Sequence, residues 1–140
     1  MVELQKEHYQ ANAVIIWCFN ARFKPALEGL IEELNLGMVD IVTTAGGAKD
    51  LAVAEKPEYR DALLRQIEIS IKLHGTRRII LMIHEDCGAL GGSSAFENNT
   101  DKEFKACEKY LTQAREVVEA RFPDAIIEMY FCNFKSCIVI

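Results

Sequence analysis

Arg78-Ile79-Ile80-Leu81-Met82-Ile83-His84-Glu85-Asp86-Cys87-Gly88 combines, in eleven residues, an apolar run of strand length and a histidine and cysteine leaving its carboxyl end. A run that is apolar on every side is what a parallel strand covered on both faces requires. Upstream, Ala13 to Cys18 (AVIIWC) is a second such run. Pro25 then opens a helix whose Leu27, Leu30, Ile31 and Leu34 share one face, and Gly37 ends it. Met38 to Thr44 is β-branched and strand-like. It leads into Ala45-Gly46-Gly47-Ala48, where the backbone can turn tightly or approach a ligand closely. Pro57 to His74 is helical, with Leu63, Leu64, Ile67 and Ile71 on one stripe and Gly75 as the stop. Downstream, Thr100-Asp101-Lys102-Glu103 reads as a capping box, and Phe104, Cys107, Leu111, Ala114 and Val118 continue a helical stripe as far as Pro123. Ala125 to Cys132 is a fourth strand. Ser136 to Ile140 is a fifth, antiparallel because Asn133-Phe134-Lys135 is too short for a crossover.

Strands alternating with helices predict an α/β fold over residues 1–140 as a single domain: a mainly parallel sheet with an antiparallel C-terminal strand and helices on both faces. Sites in such sheets form beyond the carboxyl ends of the strands, where the strand order reverses. With an order 2-1-3-4, Cys18 at the end of strand one faces His84 and Cys87 at the end of strand three. Two thiolates and an imidazole suit zinc, and three protein ligands leave a fourth tetrahedral position open, as in catalytic rather than structural sites. Without Cys18, the His-x-x-Cys pair fits a core cysteine beside a hydrogen-bonded histidine at least as well.

The charge balance narrows the partners. Sixteen Lys and Arg against 21 Asp and Glu give a net charge of −5 over 140 residues, and no basic run exceeds Arg77-Arg78. Nucleic acid is therefore not an expected partner. The longest apolar run, Ala13 to Phe19, is too short to span a bilayer, and Met1 to Gln10 is too polar for a signal peptide, so a soluble, cytoplasmic protein with no membrane partner is expected. Five cysteines argue against a disulfide framework. Cys107 reads as core, Cys132 and Cys137 as packing more than as a pair, and His8 and His74 as surface or capping residues. Gly46-Gly47 lacks the Lys-Ser/Thr of a phosphate-binding loop. The apolar end Cys137 to Ile140, lying at a sheet edge, calls for pairing, hence a homodimer or higher homo-oligomer.

Cys18-Phe19-Asn20-Ala21-Arg22, His84-Glu85-Asp86-Cys87-Gly88 and the intervening Asp40 to Ala48 together resemble the β-class carbonic anhydrases, over about residues 13 to 132. That family has Cys-x-Asp-x-Arg after its first strand and His-x-x-Cys-Gly after its third. The resemblance implies Cys18, His84 and Cys87 as ligands of one Zn2+ per chain, a 2-1-3-4 sheet, and reversible hydration of CO2 or attack on a similar small electrophile. Asn20 and Arg22 then take the catalytic positions. Asp40, Ala45, Gly46, Gly47, Asp86 and Gly88 are expected around substrate or ligands, Asp40 as a partner of Arg22.

The sequence departs from the family at Asn20, where an aspartate pairs with the arginine, and at Thr44 and Ala45, where Arg or Asn is usual. It also has only about a dozen residues before strand one, where the family carries a helical arm that wraps a partner subunit. With zinc and two thiolates neutral, Arg22 is expected to leave the site one unit positive, to slow CO2 hydration, and to make Asn20→Asp a gain. The alternative is a catalytically silent zinc-binding scaffold or assembly protein of the same fold.

Overall fold

In the computed structural model, which describes residues 1–140, β1 (Val14–Cys18), β2 (Asp40–Thr44), β3 (Arg78–His84), β4 (Ile126–Cys132) and β5 (Cys137–Val139) form one sheet of order β2-β1-β3-β4-β5. Every pairing is parallel except β4 with β5. The parallel core, the 2-1-3-4 order and the antiparallel last strand follow the sequence reading. β1 and all of β3 after its first residue are buried, which is why their sequences are continuously apolar.

Two helical layers cover the sheet. α2 (Lys49–Ala52), α3 (Pro57–His74) and α4 (Thr100–Arg121) bury Leu51, Leu64, Ile67, Cys107, Leu111 and Val118 against Val14, Ile16, Ile79, Leu81 and Ile83. α1 (Lys24–Glu33) covers the other face, where Phe23, Leu27 and Leu30 pack on Ile15, Trp17, Ile80, Met82 and Tyr130. That second layer also holds Cys18, Cys87 and Cys132. α3 ends on Gly75 in the left-handed conformation (φ 61°), as its position after the last apolar residue predicts.

Three expectations change. The four-residue helix α2, directly after the glycine loop, has no sequence counterpart because one turn is too short to show a period. The capping box does not form: Asn99 caps α4, accepting from the N–H groups of Asp101 and Lys102, and Glu103 turns into the protein. Cys132 and Cys137 are joined in a disulfide, against the packing role expected of them. They are register partners facing each other across the antiparallel pair β4 and β5, the placement that brings two Cβ atoms within bonding reach.

Candidate metal centre

Two chain segments bring three potential metal ligands together at the carboxyl ends of β1 and β3, where the strand order reverses. Cys18 ends β1, His84 ends β3, and Cys87 follows on a turn. Their ligand atoms lie within 4.8 Å of one another and all three residues are buried. A tetrahedral zinc with bonds of about 2.3 Å to sulfur would need ligand atoms roughly 3.8 Å apart, so the cluster requires only a small contraction to hold it.

His84 carries the plainest sign of fit. Its Nδ1 lies 2.6 Å from the Glu85 carbonyl oxygen. A carbonyl only accepts, so Nδ1 holds the proton and Nε2 keeps its lone pair. Nε2 is buried and without a hydrogen-bond partner. A buried acceptor left unpaired is costly unless something else uses it, and a metal ion does so directly. Phe23 stacks on the imidazole at 4.1 Å between ring centroids and fixes its plane.

The two thiols are set unequally. Cys18 is pulled below the ordinary thiol value, chiefly by the hydrogen bond from the Cys87 thiol and against the opposing effect of burial; the backbone N–H groups of Asn20 and Gly46 add to it. Cys87 is pushed up by its bond to Cys18 and by burial. Of the two thiols Cys18 is therefore the readier to ionise, and a dication held between them would release the proton of Cys87.

The glycine loop serves the sheet and Cys18. Gly47 has φ +58°, and a Cβ there would lie 2.3 Å from the Met82 carbonyl oxygen, so the close approach is to backbone of β3. Ala48 N–H donates to that same oxygen at 2.9 Å. Gly46 is also left-handed and packed against Ala89 and Lys49. Ala45 and Gly88 are exposed, and a side chain at Gly88 would meet nothing.

Arg22 is compensated, which corrects the expectation of a net positive site. Its Nη1 pairs with Asp86 Oδ2 at 3.1 Å and its Nη2 donates to the Asp86 carbonyl oxygen at 3.1 Å. Asn20 Oδ1 accepts from the backbone N–H and from Nε of the same arginine, at 3.0 and 3.2 Å. The guanidinium also stands over Phe134, 5.1 Å from its centroid.

Asp40, expected near Arg22, lies at the other end of its strand. There it accepts from Tyr9 (2.6 Å), Ser70 (2.6 Å) and His74 Nδ1 (2.7 Å). His74 is accordingly part of a polar cluster, with the Tyr9 ring tilted against it at 4.1 Å between centroids, more than the surface or capping residue foreseen. Buried Glu103 accepts from the Asp86 backbone N–H and Ser93 Oγ, both at 2.7 Å. The capping-box reading hid it, although it sits one turn before Cys107 on the apolar stripe, where a carboxylate is out of place.

A cavity of about 330 Å³ opens beside Cys18, lined by Trp17, Phe19, Asn20, Leu27, Ile41 and Thr43 among others. Another, of about 410 Å³, lies between α1 and the β4–β5 turn, and it reaches Arg22 but not Cys18, His84 or Cys87.

The family profile described as "putative carbonic anhydrase" matches residues 8–139. The chain belongs to that family. An uncharacterized protein of Rickettsia bellii is 29% identical over 144 residues, covering 98% of this chain and 88% of its own. One of Rickettsia conorii is 28% identical over 145 residues, covering 98% and 77%. Among solved structures, a carbonic anhydrase from Glaciozyma antarctica is 20% identical with TM-score 0.63, over 94% of this chain and 83% of that one. A carbonic anhydrase from Streptococcus mutans is 21% identical with TM-score 0.61, over 95% and 82%. These structures share the fold of this putative carbonic anhydrase family member.

Proposed function

We propose that this chain is a zinc-dependent lyase that hydrates CO2 reversibly, or attacks a similar small linear electrophile, with one Zn2+ held by Cys18, His84 and Cys87. The observation that carries the proposal is the unpartnered Nε2 of His84 beside two buried thiols, the three ligand atoms lying within 4.8 Å of one another. Zinc held by these three residues would supply hydroxide near neutral pH, by lowering the pKa of bound water to about 7.

The protein's own groups do the rest. Backbone N–H groups of Asn20 and Gly46 donate to Cys18 and favour its ionised form. Trp17, Phe19, Leu27 and Ile41 give the neighbouring cavity apolar walls that suit an uncharged linear molecule. Asn20 holds Arg22 at two points, and Arg22 ties the segment after β1 to the turn that carries Cys87. The Arg22–Asp86 pair keeps the surroundings near neutrality, so an anionic product meets no net excess of positive charge. The same pair removes the reason for expecting Asn20→Asp to be a gain, because Arg22 already has its carboxylate.

The proposal includes a single zinc domain over residues 1–140, working as a homodimer in the cytoplasm. Exposed Met38 and Ile41 on the edge strand β2 and its approach, with exposed Phe19 just after β1, support self-association. In a reducing cytoplasm Cys132 and Cys137 would be thiols, which counting free thiols in protein quenched on cell lysis would show.

Stopped-flow CO2 hydration on zinc-loaded protein tests the function, with Cys87→Ser as control. Hydration well above the buffer rate, lost in Cys87→Ser, is expected. Zinc-loaded protein that hydrates CO2 no faster than buffer overturns the reading in favour of a silent scaffold.

A further inference from the structure

Glu103 is 2% exposed, lies on the buried face of α4, and forms no ion pair. Burying a carboxylate without a cation is costly, and what offsets it here is two hydrogen bonds. One oxygen accepts from the Asp86 backbone N–H and the other from Ser93 Oγ. These donors are the two ends of one segment that carries Cys87 and folds back on itself, Gly92 N–H donating to the Cys87 carbonyl at 2.8 Å. Asp86 is in the left-handed conformation (φ +56°), which a non-glycine residue keeps only when its surroundings hold it there. Held so, Asp86 accepts from the Ser93 N–H at Oδ1 (2.9 Å) and from Arg22 Nη1 at Oδ2.

We propose that Glu103 is a positioning residue: gripping Asp86 and Ser93, it presents the Asp86 carboxylate to Arg22, so the acidic partner absent at position 20 comes from the turn that carries Cys87. The proposal rests on the reading of Cys18, His84 and Cys87 as a metal site. Its consequence is a site of balanced charge.

The test titrates cobalt(II)-substituted protein with thiocyanate, followed in the visible spectrum. It also measures exchange of the Arg22 side-chain N–H groups by NMR in metal-free protein. Asp86→Asn and Glu103→Leu leave Arg22 unpaired and raise thiocyanate affinity about fivefold. Ser93→Ala gives a smaller rise. Glu103→Gln stays at the wild-type value, because its amide oxygen accepts from Asp86 N–H and its amide nitrogen donates to Ser93 Oγ. Asn20→Asp combined with Asp86→Asn returns affinity to the wild-type level.

Arg22 N–H exchange is slow in wild type and Glu103→Gln, and fast in Asp86→Asn and Glu103→Leu. Cobalt-loaded Asp86→Asn with unchanged thiocyanate affinity overturns the proposal, as does unchanged Arg22 exchange in metal-free protein. Failure of wild type to develop cobalt–thiolate absorption overturns the metal reading, while the exchange measurement still decides whether Glu103 holds Arg22 through Asp86. Should Glu103→Leu not fold, Asp86→Asn and Ser93→Ala carry the same decision.

Discussion

Gly47 is the residue whose replacement the structure forbids most plainly. Its left-handed φ is strained for any other residue, and a Cβ would fall 2.3 Å from the Met82 carbonyl oxygen. Gly47→Ala is expected to cost about 2 to 4 kcal/mol in urea unfolding, and to loosen the Gly46 N–H that supports Cys18. The sequence marked the glycine pair but not its target, because a tight approach to a ligand and one to a neighbouring strand use the same residue. Asp40 was misplaced for a related reason: its position before the glycine loop says nothing about which end of the strand its side chain serves. Burial alone would raise its pKa, but hydrogen bonds from Ser70, Tyr9 and His74 outweigh that and hold it below the ordinary carboxylate value. The stabilisation it provides is therefore present above about pH 4 and is lost as pH falls through the lowered folded-state value. Asp40→Asn is expected to lower stability at pH 7 by about 1 to 3 kcal/mol, and to flatten the acid limb of a stability–pH curve measured by denaturant titration.

At the scale of elements, the strands of the parallel core and the long helices α3 and α4 could be read from apolar runs, helical stripes, Pro57 and Gly75, since burial on both faces imposes them. What escaped was short or long-range. α2 has too few residues for a pattern, and the Glu103 contact joins residues 17 positions apart. The disulfide depends on the register of β4 with β5, which cysteine spacing alone does not determine. Closing a loop with a sequence separation of only five residues, it is worth about 2 kcal/mol by loop entropy. Replacing both Cys132 and Cys137 by Ser is expected to lower the urea midpoint accordingly. It should leave zinc uptake intact, because neither cysteine belongs to the candidate ligand cluster. A loss of zinc in that double variant would show the β4–β5 turn to be part of the site, acting through Phe134 on Phe23 and so on His84.

For the molecule as a whole, one sheet brings together residues that lie 66 positions apart in the chain, Cys18 and His84, and the 2-1-3-4 order is what makes that possible. The order followed from the family resemblance, and the clustering of Cys18, His84 and Cys87 from that order and their places at strand ends, whereas the charge balance around Arg22 could not be read, since Asp86 reaches it through a left-handed backbone. No helix is long and apolar enough to cross a membrane. The proposed homodimer is expected to sediment as such at micromolar concentration, and to survive deletion of Ile138 to Ile140 if the β2 edge forms the interface; a monomer at high micromolar concentration would contradict it. The central claim is the metal centre, and zinc-edge X-ray absorption of the zinc-loaded protein tests it most directly. The account predicts one zinc per chain with two sulfur ligands and one imidazole nitrogen from the protein, lost in Cys18→Ala and Cys87→Ala. Protein that takes up no zinc, or zinc whose spectrum is unchanged in those variants, would contradict it.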